Sequence, residues 1–215
     1  MEALAAAGVP TLAHHHLVRR DWAALAGAPA VGWSAVSAAA ARRLEGLAGL
    51  PTGSVAVLGN PLPAWAPLPR APESPPLVVQ LGRLDGRKGA GFAPDVARAI
   101  APARLVLAGD GPMRGALHPA EEAGAVADVP ALLARAHALL LPAEHEGAPL
   151  AVLEAVRAGC PVVATAEALE AWPGAESWAW IIPREAAAIA ATLRAVLAAP
   201  AEAARRAALA RAALA

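Results

Sequence analysis

The stretch PAEHEGAPLAVLEAVRAGCPVVAT, residues Pro142–Thr165, predicts a loop, a helix and a strand in that order. The four apolar residues before it, Ala138–Leu141, are typical of a buried strand. The helix is predicted over Pro149–Ala158, because proline is favoured at the first helical position. The next strand is predicted over Pro161–Thr165, so the chain passes from one strand through a helix to the next, which is the connection that parallel strands require.

The same alternation of strands and helices extends to both sides of this stretch. It indicates an α/β domain whose parallel sheet is covered by helices on both faces, with ligands bound beyond the carboxyl ends of the strands. A proline-rich segment, Pro61–Pro76, predicts a linker ahead of this domain. Further strands are predicted at Val55–Leu58, Leu77–Leu81, Arg104–Ala108 and Trp178–Ile182, a short helix after Gly109–Pro112, and longer helices at residues 91–100, 129–136, 184–198 and 201–213.

The composition indicates a folded chain without overall charge. Its 215 residues are 57% hydrophobic and 17% charged, which is enough apolar material for a sizeable core. Because 18 basic residues balance 18 acidic ones, no basic surplus favours nucleic-acid binding. The single cysteine, Cys160, excludes an internal disulfide and fits a reducing compartment.

One uncharged run, Trp22–Ala41, is long enough to cross a bilayer. Its glycines, proline and serines disfavour a spanning helix, and no basic-then-apolar signal peptide follows Met1. We therefore expect a cytoplasmic protein.

The loop after the predicted strand Leu77–Leu81 has the sequence GRLDGRKG, Gly82–Gly89. It places Arg83 and Lys88 between glycines that let a ligand approach the backbone. A guanidinium and an ammonium at the carboxyl end of a strand suit a diphosphate. The alternative is a pair of solvated surface cations.

The loop AGDGP, Ala108–Pro112, follows the next predicted strand. Its glycines permit a tight turn, but a dinucleotide-binding fingerprint needs a third glycine at position 114, where the chain has Arg114. Gly115 comes one residue too late. This disfavours an NAD-binding oxidoreductase, and a plain turn is the better interpretation of this loop alone.

Two carboxylates, Glu146 and Glu154, lie before and within the helix of the opening stretch. The free amides and dipole at the start of that helix make an anion site, and Glu154 is placed to accept hydrogen bonds from vicinal sugar hydroxyls. Eight residues of helix rise about 12 Å, whereas glycosidase carboxylates lie roughly 5 to 9.5 Å apart. The spacing favours two contacts on one long ligand.

Three adjacent histidines, His14, His15 and His16, follow a predicted strand end at Val9–Ala13. Adjacent side chains point in different directions, so a polar loop is favoured for them over a metal site. His137 and His145 have no ligand-like spacing either. We expect no bound metal.

Taken in order, five segments resemble the retaining glycosyltransferases of group 1, family four, which have the GT-B fold. The order and spacing of the motifs make the resemblance specific, and it extends from about Val9 to the end of the chain. The segments are AVSAAAARRL (35–44), VAVLGNPL (55–62), VVQLGRLDGRKG (78–89), LVLAGDGP (105–112) and LPAEHEGAPLAVLEAVRAGCPVVAT (141–165).

The resemblance implies a nucleotide-sugar donor, no cofactor and no metal, with sugar transfer to an unknown acceptor and retention of configuration. It implies that Glu146 and His16 lie at the reaction centre, His16 being in uncertain register with its two neighbours. The donor-binding residues that it implies, with the glycines of the two loops, are Gly82, Arg83, Lys88, Gly109, Ala148, Pro149, Leu150, Ala151 and Glu154.

The same resemblance implies a Rossmann-like nucleotide-sugar-binding domain at residues 63–215 and a remnant of the acceptor-side domain with the linker at 1–62. A partner chain or oligomer that completes the first domain is then expected, and peripheral binding to the inner membrane face is an alternative to a purely cytoplasmic location. The segment 115–129 looks shortened and ATAEALEAW (164–172) lacks the family's paired glycines. A non-catalytic nucleotide-sugar-binding module and a sugar-nucleotide epimerase remain alternatives.

Overall fold

The computed structural model describes residues 12–16 and 32–214. These residues form two compact units. The first unit contains the described residues up to Asn60 together with Glu146–Ala148, and the second contains Pro61–His145 and the described residues from Pro149 onward.

The first unit has a parallel three-stranded sheet in the order β1 (Leu12–His15), β2 (Gly32–Ala35) and β3 (Val55–Val57). Helix α1 (Ala38–Ala48) packs on it. Ser37, in the segment AVSAAAARRL that resembles the family, begins this helix: its Oγ accepts a hydrogen bond from the Ala40 N–H at 3.1 Å, which satisfies one of the free amides of the first turn. β1 continues two residues past the strand end that the sequence indicated, and the first part of that predicted strand, residues 9–11, lies outside the described residues.

The second unit is a six-stranded, wholly parallel sheet in the order β6-β5-β4-β7-β8-β9. The strands are β4 (Leu77–Leu81), β5 (Arg104–Ala108), β6 (Glu121–Gly124), β7 (Ala138–Leu141), β8 (Val162–Ala164) and β9 (Trp180–Ile181). The helices are α2 (Ala93–Ile100), α3 (Val129–Arg135), α4 (Leu150–Ala158), α5 (Ala186–Ala198) and α6 (Pro200–Leu214), with short 3-10 turns at Ala90–Phe92 and Ala175–Ser177.

The central strands are buried on both faces, and apolar apart from residues such as Gln80 of β4, because helices cover both faces of the sheet. Leu77 and Val79 of β4 face the core beneath α3 and α4, which includes Val152. Val78 faces the opposite core beneath α2 and α5, which includes Ile189. This alternation is why a continuous apolar run forms a strand here.

Strand β6 is absent from the sequence-based prediction. Of its residues, EEAG, two are exposed and one is buried, because β6 is an edge strand that pairs only with β5. A charged pair also joins the two strands. The Arg104 guanidinium on β5 donates to both carboxylate oxygens of Glu121 at 2.6 Å. An edge strand of this kind lacks the apolar run that identifies a central strand.

The predicted short helix after Gly109–Pro112 is wrong. This segment forms turns, closed by short-range bonds such as that from the Arg114 N–H to the Gly111 carbonyl at 3.1 Å, and its main chain is also bonded to the loop that follows β4. The Leu84 N–H donates to the Asp110 carbonyl at 2.9 Å, and the Met113 N–H donates to the Leu84 carbonyl at 3.1 Å. Strand β2 (Gly32–Ala35) was not predicted either. The predicted strands and helices that are present differ from the structure only at their ends; α4, for example, begins one residue later than predicted.

Among the described residues, no single helix is both long and apolar enough to cross a membrane. The consecutive helices α5 and α6 meet the length and composition criteria only as a pair, and the chain bends by 100° between them.

Candidate functional site

The candidate site of the second unit lies where the direction of the strand order reverses. From the neighbouring strands β4 and β7, the chain adds β5 and β6 on one side and β8 and β9 on the other. Open sheets of this order bind ligands in the crevice beyond the carboxyl ends of the strands at that point. The segments there are the loop Gly82–Gly89 after β4, and Pro142–His145 with the start of α4 after β7.

The loop after β4 is folded around the Asp85 carboxylate. One oxygen accepts from the Lys88 N–H at 2.9 Å, and the other lies 3.0 Å from the Arg83 Nε. The Gln80 side chain donates to the Lys88 carbonyl at 3.0 Å. The Arg83 side chain is 67% exposed, so this ion pair contributes little stability, and its guanidinium faces solvent.

The loops after β4 and β7 pack against each other. A Cβ on Gly89 would overlap with the Pro142 carbonyl, and Gly89 has a φ of +74° that favours glycine. The Glu144 N–H donates to the Arg87 carbonyl at 2.8 Å. The loops that follow β4 and β7 therefore lie side by side, in direct contact, beyond the carboxyl ends of these strands.

Arg184, which follows β9, bonds to both of these loops. Its Nε donates to the Pro142 carbonyl at 3.2 Å and its Nη2 donates to the Gly86 carbonyl at 2.7 Å. Arg184 is not among the site residues predicted from the sequence. The signal that was available is its position, directly beyond the carboxyl end of the predicted strand Trp178–Ile182.

The predicted glycines Gly82 and Gly109 lie against each other. A Cβ on Gly109 would overlap with the Gly82 carbonyl. The Gly82 N–H donates to the Ala108 carbonyl at 3.0 Å, and the Gly109 N–H donates to the Gly124 carbonyl at 2.7 Å. These glycines thus allow the main chains beyond β4 and β5 to approach closely.

Helix α4 begins with main-chain amides that have no hydrogen-bond acceptor among the described residues. Pro149 has no N–H; it is the N-cap residue, with φ −66° and ψ 124°, and its carbonyl accepts from the Val152 N–H at 3.1 Å. The amides of Leu150 and Ala151 have no acceptor in the described part of the chain. Such amides, together with the helix dipole, attract an anion.

Glu154 lies on the same helix, about 6 Å along the axis from Leu150. Its side chain is half-buried, and burial raises the pKa of its carboxyl group. Within residues 12–16 and 32–214, no hydrogen bond or ion pair holds this carboxylate. It is therefore a partly desolvated acceptor whose bonding capacity is unused.

In the first unit, Glu146–Ala148 packs against residues that follow β1 and β3. A Cβ on Gly147 would overlap with the His16 carbonyl, and the Asn60 side chain donates to the Ala148 carbonyl at 2.8 Å. This places His16 beside the residue that follows Glu146. The Glu146 side chain is half-buried, whereas that of His16 is exposed.

The other two histidines have structural contacts within β1 and β2. The His14 Nδ1 lies 2.8 Å from the Ser34 Oγ. His15 is buried and stacks on Trp33 with ring centroids 5.7 Å apart, and its burial, with the nearby His14, lowers its pKa. Of the three adjacent histidines, His16 is thus the one whose main chain contacts the Glu146–Ala148 segment.

No group of three or more His, Cys, Asp or Glu side chains within the described ranges is arranged to hold a metal ion. A cavity of about 360 Å³ lies at the amino ends of the strands of the second unit, lined in part by His137 and Pro161, which precede β7 and β8. It is at the opposite end of the sheet from Gly82–Gly89, so it is not the crevice described above.

Solved structures with this fold include glycosyltransferases. Anabaena Alr3699/HepE, crystallised with UDP-glucose, superposes with a TM-score of 0.79 at 20% identity, over 98% of this chain and 69% of that chain. Sucrose-phosphate synthase (tll1590) from Thermosynechococcus elongatus superposes with a TM-score of 0.76 at 19% identity, over 96% of this chain and 63% of that chain. The predicted GT-B-type α/β fold is therefore confirmed.

A curated relative has a more similar sequence over a shorter region. The GDP-mannose-dependent alpha-(1-6)-phosphatidylinositol dimannoside mannosyltransferase of Mycobacterium tuberculosis (strain H37Ra) is 38% identical over 100 residues, which are 40% of this chain and 26% of that protein. The match thus spans about a quarter of the relative's length.

The family model for glycosyl transferases group 1 matches residues 75–199, more than half of the chain. The matched region includes the loop Gly82–Gly89, the segment Pro142–His145 and helix α4. The chain belongs to the glycosyl transferases group 1 family.

Proposed function

We propose that the second unit binds the nucleoside diphosphate of a nucleotide-sugar donor and that the protein transfers the sugar to an acceptor with retention of configuration. The observation that supports this most directly is the start of α4. There, two amides and a half-buried carboxylate that have no hydrogen-bond partner among the described residues lie on one helix. This is the edge at which open sheets of this order bind ligands.

In this proposal, each part of the donor meets a matching group. The cations of Arg83 and Lys88 and the amides of Leu150 and Ala151 bind the diphosphate, whose charge increases as the sugar leaves. Groups that are already oriented toward that charge stabilise the transition state. The Glu154 carboxylate accepts hydrogen bonds from the ribose hydroxyls, and its desolvation strengthens them.

Glu146 and His16 are proposed to lie at the transferred sugar. Their support is the packing of Gly147 on the main chain of His16. Metal ions are not required in this proposal, because arginine, lysine and helix amides neutralise the leaving diphosphate. A chelator is therefore expected to leave donor binding unchanged.

The base of the donor nucleotide is proposed to be guanine or uracil. The Mycobacterium tuberculosis relative is named for GDP-mannose, whereas the Anabaena structure contains UDP-glucose. Thermal unfolding of the purified chain with UDP, GDP, ADP and NAD in turn distinguishes these. A ligand at 100 times its Kd adds roughly 2.7 kcal/mol, which raises the midpoint of a chain of this size by about 5 to 11 °C.

We expect a rise with one nucleoside diphosphate, and its loss in Arg83→Ala and Glu154→Ala. Arg98→Ala is the matched control, because Arg98 forms only an exposed ion pair with Asp95 on α2. Full binding in both site variants would overturn the assignment of these residues. A cooperative wild-type transition that no diphosphate shifts would overturn donor binding by this chain.

The alternative is a nucleotide-sugar-binding module without transferase activity, or one that acts with a partner chain. Transfer of labelled sugar by a chain that binds its donor distinguishes an enzyme from a module. The anomeric configuration of the product tests retention. The proposed location is cytoplasmic, with peripheral membrane binding as an alternative.

A further inference from the structure

We propose that Arg184 is a positioning residue, which holds the two loops at the switch point in the arrangement that binds the donor diphosphate. This inference rests on the proposed function, because the diphosphate is the ligand that the loops would meet. Arg184 is assigned no contact with the ligand itself. It acts through the main chain of Gly82–Gly89 and of the segment beginning at Pro142.

The evidence is a bridge between segments that are far apart in sequence. The Arg184 guanidinium bonds to Pro142, 42 residues away, and to Gly86, 98 residues away. Both acceptors are main-chain carbonyls at the carboxyl ends of strands, so the planar fork fixes backbone position and not a side chain. The guanidinium also lies 5.6 Å from the centroid of the Phe92 ring, within the range of a cation–π contact.

The position of Gly86 makes this bridge relevant to binding. Gly86 lies between Arg83 and Lys88, so a shift of its carbonyl moves both proposed phosphate ligands. The Asp85 carboxylate does not anchor the loop to the rest of the unit, because it bonds within the loop itself. A charge-assisted hydrogen bond contributes more than a neutral one, so loss of Arg184 is expected to loosen the loop around Gly86.

The two hydrogen bonds of the Arg184 guanidinium lie outside the hydrophobic core of the sheet. Strands β4 and β7 stay buried on both faces without them, and Gly89 still packs on Pro142. Within the described residues no carboxylate pairs with Arg184, so its removal leaves no buried charge unpaired. A variant is therefore expected to fold and to change the loops alone.

The test measures binding of UDP and GDP to the full chain by calorimetry, for the wild type, Arg184→Ala and Arg184→Lys. Arg194→Ala is the matched control: Arg194 also donates to a main-chain carbonyl, that of Ala99 at 2.9 Å, but on the α2 side. We expect both Arg184 variants to raise the Kd about tenfold, equivalent to 1.4 kcal/mol. We expect the control to leave it unchanged, with similar thermal midpoints for all variants.

Two comparisons distinguish an effect on the position of the loops from the loss of the Arg184 charge and from damage to the fold. Lysine keeps the positive charge but has no planar fork, so full binding by Arg184→Lys would show a charge effect and overturn the proposal. Added guanidinium ion, well below denaturing concentration, is expected to restore binding in Arg184→Ala. Sodium chloride at the same ionic strength is not.

Hydrogen exchange distinguishes failure of this inference from failure of the proposed function. Arg184→Ala is expected to speed exchange of the Glu144 N–H, which bonds to the Arg87 carbonyl, and of the Lys88 N–H, whether or not a nucleotide binds. If the wild type binds a diphosphate and the variant binds it equally well, the inference is overturned and the proposed function stands. If the wild type binds none, the proposed function fails, and unchanged exchange would overturn the bridge as well.

Discussion

At the scale of single residues, Glu154 shows most clearly that a feature of the site works against stability. Its half-buried carboxyl group has a raised pKa because burial disfavours the charged form. A folded-state pKa above the unfolded value means that ionisation costs stability as the pH rises through that interval. In the proposed function, the donor supplies the hydrogen bonds that this carboxylate lacks.

We therefore expect Glu154→Gln to be more stable than the wild type at neutral pH, with the difference vanishing below the ordinary pKa of glutamic acid. Its affinity for the nucleotide should fall by about 10 to 100-fold, the equivalent of a charged hydrogen bond of 1.5–3 kcal/mol. Urea unfolding at pH 7.5 and pH 4 measures the first effect, and calorimetry measures the second.

The control for this pH series is Glu121→Gln. Arg104 bonds to Glu121 and lowers its pKa, so this carboxylate contributes stability above the ordinary pKa and the variant should be less stable at neutral pH. The two substitutions thus have opposite expected signs. A Glu154→Gln chain that is less stable than the wild type at pH 7.5 would contradict the argument.

Residues that follow predicted strands could be identified from the sequence, because loop chemistry at strand ends has a local pattern. Arg83 and Lys88 were identified in this way, and Glu154 from its place in the helix that follows such a loop; their roles stay predictions. Arg184 was not, since its bonds are to main-chain carbonyls 42 and 98 residues away. Any residue has a main-chain carbonyl, so no sequence pattern indicates that partner.

At the scale of elements, the packing of one loop on another depends on Gly89. Substitution to alanine introduces two costs: the left-handed backbone at φ +74° and overlap with the Pro142 main chain. We expect Gly89→Ala to lower the free energy of unfolding by about 2 to 5 kcal/mol, as the sum of the two effects, and to weaken nucleotide binding.

Gly115→Ala separates the two costs. Gly115 has a similar φ of +84°, but a Cβ there meets nothing within 4 Å. Gly115→Ala should lower the free energy of unfolding only by the cost of the left-handed backbone, about 1 to 2 kcal/mol. It should leave nucleotide binding unchanged. Denaturant unfolding of both variants measures the difference, and equal losses would show that the contact between the loops contributes nothing.

The strands and helices could be predicted where burial requires an apolar sequence. The strands Leu77–Leu81, Arg104–Ala108 and Ala138–Leu141 have the predicted limits, because each is a mostly apolar run that is buried on both faces of the sheet. Strand β6 was missed because it is an edge strand, EEAG, that lacks the apolar run of a central strand. The short helix after Gly109–Pro112 was wrongly predicted because contacts with Leu84 determine that turn.

At the scale of the whole molecule, the reactivity of the single cysteine measures how often the core becomes exposed to solvent. Cys160 is 1% exposed in the core between α3, α4 and the sheet, and burial raises the pKa of its thiol to about 11. Since the thiolate is the reactive form, the folded chain should react very slowly with a thiol reagent at pH 8. The reaction then proceeds through the small unfolded fraction of a marginally stable domain.

This makes thiol labelling a test that connects the core with the proposed site. A nucleoside diphosphate that binds only the folded chain, at 100 times its Kd, lowers the unfolded fraction about 100-fold. We expect it to slow the labelling of Cys160 by that factor, and to have no such effect in Arg83→Ala. Labelling that is rapid in the native chain would contradict the burial of the thiol. If the nucleotide binds in calorimetry but does not slow labelling, the reagent reaches Cys160 through local opening, and the core and the site unfold independently.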